Sequence, residues 1–255
     1  MSDIKSAVQQ QFEKAAANYR TSSVHARGED LQWMVQAANL TGNERVLDAG
    51  CGAGHTAVTF APHVREVVAL DFTAAMLEQV EQLAAERQLR NVSTRHGDVE
   101  KLPFEAASFD VVVSRYSAHH WPHPLTALQE IARVLKPDGQ FILSDAVAAP
   151  EPLLDTFLQT LEFVRDPSHV RDHSVQQWQA MLTEAGFQSK VVTSWEIALN
   201  FDSWVERIGT PTGNIATLRA LFAGASEEVR SAFKIQPEEF AIVGALFQAS
   251  LSMNR

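Results

Sequence analysis

Val46-Leu47-Asp48-Ala49-Gly50-Cys51-Gly52-Ala53-Gly54 is followed by Asp71 at the end of the next apolar run. It reads as a strand, a glycine turn and a helix start. That order sets bare backbone N–H groups at a helix N-terminus, where a small charged ligand is received. Glycine lets the backbone approach without a Cβ in the way, and an acid ending the second strand suits a ribose diol. A dinucleotide fold would carry Gly-x-Gly-x-x-Gly, but here Gly50 and Gly52 are followed at the sixth position by His55. Asp48, two residues before the first glycine, is an awkward neighbour for a diphosphate and a suitable one for an ammonium or sulfonium group.

Outward from that turn, apolar strand candidates alternate with helical stretches, the pattern of a parallel sheet covered on both faces. Strands are predicted over 45–49, 67–71, 92–96, 110–114 and 140–145, and helices over 54–61, 74–86 and 124–134. Leu135-Lys136-Pro137-Asp138-Gly139 reads as a helix end and a tight turn into the fifth strand. Upstream, Ala7, Phe12, Ala15, Ala16 and Tyr19 mark an amphipathic helix over 4–19, and Leu31, Met34, Val35 and Ala38 a second one over 30–40. Downstream, helices are expected over 151–164 and 174–185 and a strand over 189–195. The run 240–251 fits a strand or a buried helix and is read as a strand. Residues 198–237 then form an insertion over the ligand mouth.

With 255 residues, 45% hydrophobic and 20% charged, the chain suits one α/β domain with embellishments: a cap over 1–40, a cofactor-binding core over 41–150 and a lid region over 151–255. The net charge of −10 argues against nucleic acid, whose binding rests on Lys and Arg displacing counterions. No stretch approaches a membrane span in length, and the single Cys excludes an internal disulfide, so a cytoplasmic protein is expected.

The landmarks Leu47 to His55, Asp71-Phe72-Thr73 with Met76, Gly97-Asp98-Val99 ahead of Leu102-Pro103-Phe104, Ser108 to Val112, Arg115 with Ala118-His119-His120-Trp121, and Arg133 to Gly139 run in a familiar order. Together they resemble the class I S-adenosylmethionine-dependent methyltransferases. More narrowly, the chain is similar to the bacterial small-molecule methyltransferases related to the ubiquinone and menaquinone C-methyltransferases. The resemblance implies a Rossmann-like, doubly wound, mostly parallel seven-stranded sheet with an N-terminal helical cap and a C-terminal helical lid. It also implies S-adenosylmethionine as cofactor and S-adenosylhomocysteine as product. Gly50, Cys51 and Gly52 would pass beneath the methionine part, with Asp48 helping to place its amino group. Asp71 would take the ribose hydroxyls, Phe72 and Met76 would pack near the adenine, and Asp98 with Val99 would meet its amine and ring edge. Arg115 would stand where the methionine moiety meets the acceptor pocket, and Tyr19 belongs to the Phe12, Ala16, Tyr19 pattern of the cap.

Methyl transfer from a sulfonium is an in-line displacement, so holding the acceptor in line and excluding water is the main task. His119 and His120, past the fourth strand, are the candidate catalytic bases, as neutral imidazoles near the methyl. The plain alternative is that one packs the next helix and the other is solvated. His169 and His173 have helical metal-ligand spacing, with His123 a third candidate, but Pro167 favours a loop and no metal is assigned. Cys51 reads as a small filler of the turn. Arg171 and Arg207 are candidates for an anionic acceptor against the commoner role of surface charges. The reading is a methyltransferase acting on a small organic acceptor of unspecified identity, with a non-catalytic cofactor-binding protein as its alternative.

Overall fold

The structure, a computed structural model, describes residues 3–21, 26 and 28–252. Its centre is strand β1, Arg45–Ala49, whose Val46, Leu47, Asp48 and Ala49 are all buried, as a strand covered on both faces requires. Beside it lie β2 (Glu66–Asp71), β3 (Val92–His96), β4 (Phe109–Arg115), β5 (Leu135–Val147), β6 (Phe187–Asn200) and β7 (Glu239–Leu251). They form one seven-stranded sheet in the order β3-β2-β1-β4-β5-β7-β6. β1 through β5 pair in parallel, and β7 runs antiparallel between β5 and β6. The chain steps outward from β1 to β3 and then returns to β4 on β1's other side. The crevice opened at the carboxyl ends of β1 and β4 is where doubly wound sheets bind ligands.

The helices follow from apolar stripes at helical spacing. On one face, α2 (Asp30–Ala37), α3 (His55–Phe60) and α4 (Ala74–Glu86) bury Met34, Ala57, Phe60, Leu77 and Val80 against the strands. On the other, α5 (Pro124–Val134) and α7 (Val175–Glu184) bury Leu128, Ile131, Trp178 and Leu182. Ser174 caps α7 in a reciprocal capping box with Gln177, and Gly186 at φ +92° ends the segment as its sequence predicts. A third cluster packs α6 (Pro152–Arg165), α8 (Phe201–Ile208), α9 (Thr212–Gly224) and α10 (Glu227–Ala232) over the β6 and β7 end around Trp204, Phe222 and Phe240. The first helix, α1 (Asp3–Thr21), lies across α4 and α8.

Three expectations shift. The predicted turn at Leu135–Gly139 is absorbed into the start of β5: the pairing jumps from Phe109 with Leu135 to Val111 with Gln140, so the residues between leave the register. In α1 the apolar face is carried by Val8 with Ala15 and Ala16, while Ala7 is exposed. The strand expected over 189–195 extends to Asn200, because β7 offers it a full-length antiparallel partner. The run 240–251 is that partner, a strand.

Candidate functional site

The glycine turn is held at both ends. The N–H groups of Gly50 and Cys51 donate to Leu70 O at 2.9 Å each, and Gly52 N donates to Asp71 Oδ2 at 3.0 Å. Its three glycines answer different needs. A Cβ on Gly50 (φ +74°) would lie 2.1 Å from Ser117 Oγ, and one on Gly54 (φ +89°) 2.9 Å from Val80 Cγ2 on α4. Gly52, at φ +49°, has nothing within 4 Å of that position. The first and third glycines thus serve packing, while the second faces open space. His55, where a dinucleotide fold has glycine, donates from Nε2 to Tyr19 O at 3.1 Å and so ties the end of α1 to the turn.

The open space is a cleft bordered by the glycine turn, the ends of β2 and β4 and the helix α1. Its walls include Tyr19, Gly50, Cys51, Gly52, Asp71, Phe72, Met76, Asp98, Val99 and Arg115, which the sequence picked out, together with His120. Asp48 is not in that wall. It lies under the turn, 1% exposed, and apart from the pull of the Ala57 N–H its carboxylate oxygens have no hydrogen-bond partner. Burial first, and then the charge of Asp71, push its pKa up to about 7. Burial also raises Asp71, although the N–H groups of Thr73 (2.9 Å) and Gly52 pull the other way. Two buried carboxyls therefore lie close to a glycine that faces open space. Cys51 is buried and its thiol is raised well above the ordinary range by burial, which fits the filler role.

Several wall residues carried no local signal. Lys5 of α1 reaches across to Asp98 Oδ2 at 2.6 Å and Glu100 Oε2 at 2.5 Å. Arg115 donates from Nε to Asp30 Oδ2 at 2.5 Å and from Nη2 to Asp30 Oδ1 at 2.9 Å, both side chains being almost wholly buried, with Ser144 Oγ donating to the same acid. Asp30, read from sequence only as a helix start, therefore fixes the arginine at the end of β4. Just beyond it, Tyr116 has φ +48°, an outlying conformation for a bulky residue. That kink brings Ser117 over Gly50 and the Tyr116 side chain to the crevice.

Beside the cleft lies a second cavity, which shares Tyr19, Tyr116 and His120 with the first. His119, Glu162, Arg165, Asp172, Trp204 and Arg207 line it, so α6 and α8 supply a wall that the lid reading left unspecified. The adjacent histidines part here. His119 lines only the second cavity, and its Nδ1–H donates to Asp145 Oδ1 at 2.6 Å. Burial works against its charge, but Asp145, backed by Asp172 and Glu162, outweighs it and lifts the pKa to about 9. His119 is thus an imidazolium at neutral pH, contrary to the neutral base expected. His120 is held neutral, its pKa lowered to about 4 by burial and then by His119. Its Nδ1–H donates to Ser168 O at 3.1 Å, which leaves Nε2 as the lone-pair nitrogen. Among the described residues Nε2 makes no hydrogen bond.

The metal spacing of His169 and His173 is not realised. His169 lies in a loop against His119, His173 stacks edge-on to Trp178, and His123 reaches Glu100. A different set, His119, Asp145 and Asp172, brings its ligating atoms within 4.8 Å of one another. Arg171 pairs with Asp155 at 2.6 Å and lines neither cavity, whereas Arg207 lines the second.

A crevice at the switch point of a doubly wound sheet, a glycine turn over buried acids and an acid ending the second strand define a nucleoside-binding α/β enzyme fold. The profile of the family described as "Methyltransferase domain" matches residues 47–143. YcgJ of Bacillus subtilis, an uncharacterised methyltransferase, is 40% identical over 243 residues, covering 93% of this chain and 96% of that protein. Its crystal structure superposes with a TM-score of 0.85 at 38% identity, over 88% of this chain and 99% of that one. A demethylmenaquinone methyltransferase of Lactiplantibacillus plantarum is 32% identical over 155 residues, 58% of this chain and 65% of that protein. The chain belongs to the S-adenosylmethionine-dependent methyltransferases.

Proposed function

We propose that the first cavity holds S-adenosylmethionine and the second a small organic acceptor, with methyl transfer at the wall they share, in a single-domain cytoplasmic enzyme. The observation that carries this reading is that shared wall: Tyr19, Tyr116 and His120 face both spaces. The cofactor supplies a methyl group on a sulfonium, which needs an acceptor in line and no metal or covalent enzyme intermediate.

The chain's own residues do the rest. Gly52 leaves room for the methionine portion, and the Asp48 and Asp71 carboxyls below it favour a positive ligand. Asp71 still has lone pairs beyond those taken by Gly52 and Thr73, so it can accept from a ribose diol. Phe72 and Met76 flank the adenine end, with Asp98 and Val99 at its polar edge. Arg115, fixed by Asp30, borders the methionine end. His120 Nε2 takes the proton from an acceptor O–H, N–H or acidic C–H, while the His119 imidazolium holds the turn through Asp145. Tyr19 and Phe12 of α1, stacked edge to face, close the mouth and exclude water.

Calorimetry tests the cofactor half. S-adenosylhomocysteine should bind with micromolar-scale affinity, about −8 kcal/mol. Asp71→Ala should weaken it roughly five-fold or more by removing hydrogen bonds to the ribose. An unchanged affinity would refute the assignment of Asp71.

A further inference from the structure

The second cavity carries cationic donors that nothing in the methyl-transfer chemistry uses. Arg165 Nη2 and Arg207 Nε are both buried and without a hydrogen-bond partner. A guanidinium N–H stranded in this way costs free energy unless something else accepts from it. Arg165 Nε is already spent on Trp204 O at 3.0 Å, and its Nη1 faces Glu162 Oε2 at 3.3 Å. Arg207, on α8, makes no ion pair among the described residues. The two guanidiniums are near enough that the charge of Arg165 disfavours that of Arg207, and the Tyr19 hydroxyl contacts both. Because that hydroxyl accepts from guanidinium N–H groups, its own proton is aimed elsewhere.

Of the neighbouring acids only Glu162 answers this charge, through Arg165 Nη1, and it leaves Arg165 Nη2 and Arg207 Nε without a partner. Asp145 is committed to His119 and to the Ala118 and Ala146 N–H groups. Asp172 Oδ2 lies 3.8 Å from His169 Nε2, on the histidine side of the cavity. The opposite lining is apolar, with Ile197, Leu199, Trp204 and Ile242.

We infer that this cavity takes an organic acid, its carboxylate held by Arg165, Arg207 and Tyr19 and its apolar body lying along Ile197, Leu199 and Trp204. The inference rests on the acceptor reading of the second cavity. Three donors from two planar guanidiniums and one hydroxyl suit the two oxygens of a carboxylate. A phosphate dianion would ask for more donors and would crowd Glu162. The carboxylate anchors the acceptor, and the atom to be methylated lies at the far end, toward His120.

The test uses the whole chain saturated with S-adenosylhomocysteine. Benzoate, phenylacetate and octanoate are each titrated calorimetrically beside the corresponding neutral amide. At least one acid should bind ten-fold or more tighter than its amide. Arg207→Gln should abolish that preference and Arg207→Lys restore part of it, with S-adenosylhomocysteine still bound by both variants. If acids and amides bind alike, if none binds, or if the preference survives Arg207→Gln, the inference is overturned while the cofactor reading stands. Failure of S-adenosylhomocysteine to bind the wild type would instead sink the cofactor reading, and this inference with it.

Discussion

At the scale of single residues, the glycine turn separates packing from binding. Gly54→Ala drives a Cβ into Val80 at a positive φ, which should cost about 1–3 kcal/mol and lower the melting temperature by several degrees. Gly52→Ala meets no protein atom, so stability should fall by only about 1–2 kcal/mol while cofactor affinity falls at least ten-fold. Thermal melts and calorimetry of both variants check this, and equal effects on binding would contradict it. Asp48 adds a pH dependence. Folding raises its pKa from 3.8 to about 7 and so favours the neutral form. That contribution is complete below pH 3.8 and is lost as pH rises through about 7. Asp48→Asn should therefore stabilise the ligand-free protein at pH 8, by roughly 3–6 °C. In the wild type, the preference for the sulfonium cofactor over its thioether product should grow several-fold from pH 6 to pH 8 as Asp48 ionises. A preference independent of pH would remove Asp48 from the site's electrostatics. The spacing of Asp48 and the glycines was plain in the sequence, because a turn is local. Which glycine faces open space was not, since Ser117 and Val80 come from distant parts of the chain.

At the scale of elements, α1 is held by contacts far along the chain. Lys5 ties it to Asp98 and Glu100, and His55 receives its end through Tyr19 O. Ion pairs with partly exposed partners are worth about 0.2–1 kcal/mol. Lys5→Ala should thus speed S-adenosylhomocysteine release about two- to five-fold, and added salt should do the same to the wild type. Stopped-flow displacement would show this, and an unchanged rate would mean that α1 does not retain the cofactor. Strand and helix periodicity made β1, β3, α4 and α5 readable to the residue, because two-residue and 3.6-residue repeats are written into neighbouring positions. The bond between Arg115 and Asp30, 85 residues apart, left no such trace. The loop-out ahead of Gln140 escaped for a related reason: it is set by the register against β4.

At the scale of the molecule, seven strands place two cavities side by side at the end of β4, and the proposed transfer takes place at their shared wall. Of the first, the glycine turn and Asp71 were legible from their places at strand ends, whereas Tyr19, Phe72, Met76, Asp98, Val99 and Arg115 came only with the family resemblance. The second was not legible. Arg207 was singled out, but Glu162 and Arg165 lie on a helix whose apolar stripe announces only packing, and Arg171, weighed with Arg207, takes the commoner role of a partly exposed charge, paired with Asp155. At saturating cofactor neither histidine should make the rate vary between about pH 5 and 8, because His120 stays neutral above about 4 and His119 keeps its proton until about 9, so any change in that window belongs to Asp48. The most direct measurement follows methyl-labelled S-adenosylmethionine incubated with the protein and a metabolite extract. The account predicts label in a low-mass product, with the rate cut about 10²-fold or more by His120→Asn while the cofactor still binds. Label that stays on the cofactor, or a rate that His120→Asn leaves unchanged, would contradict it.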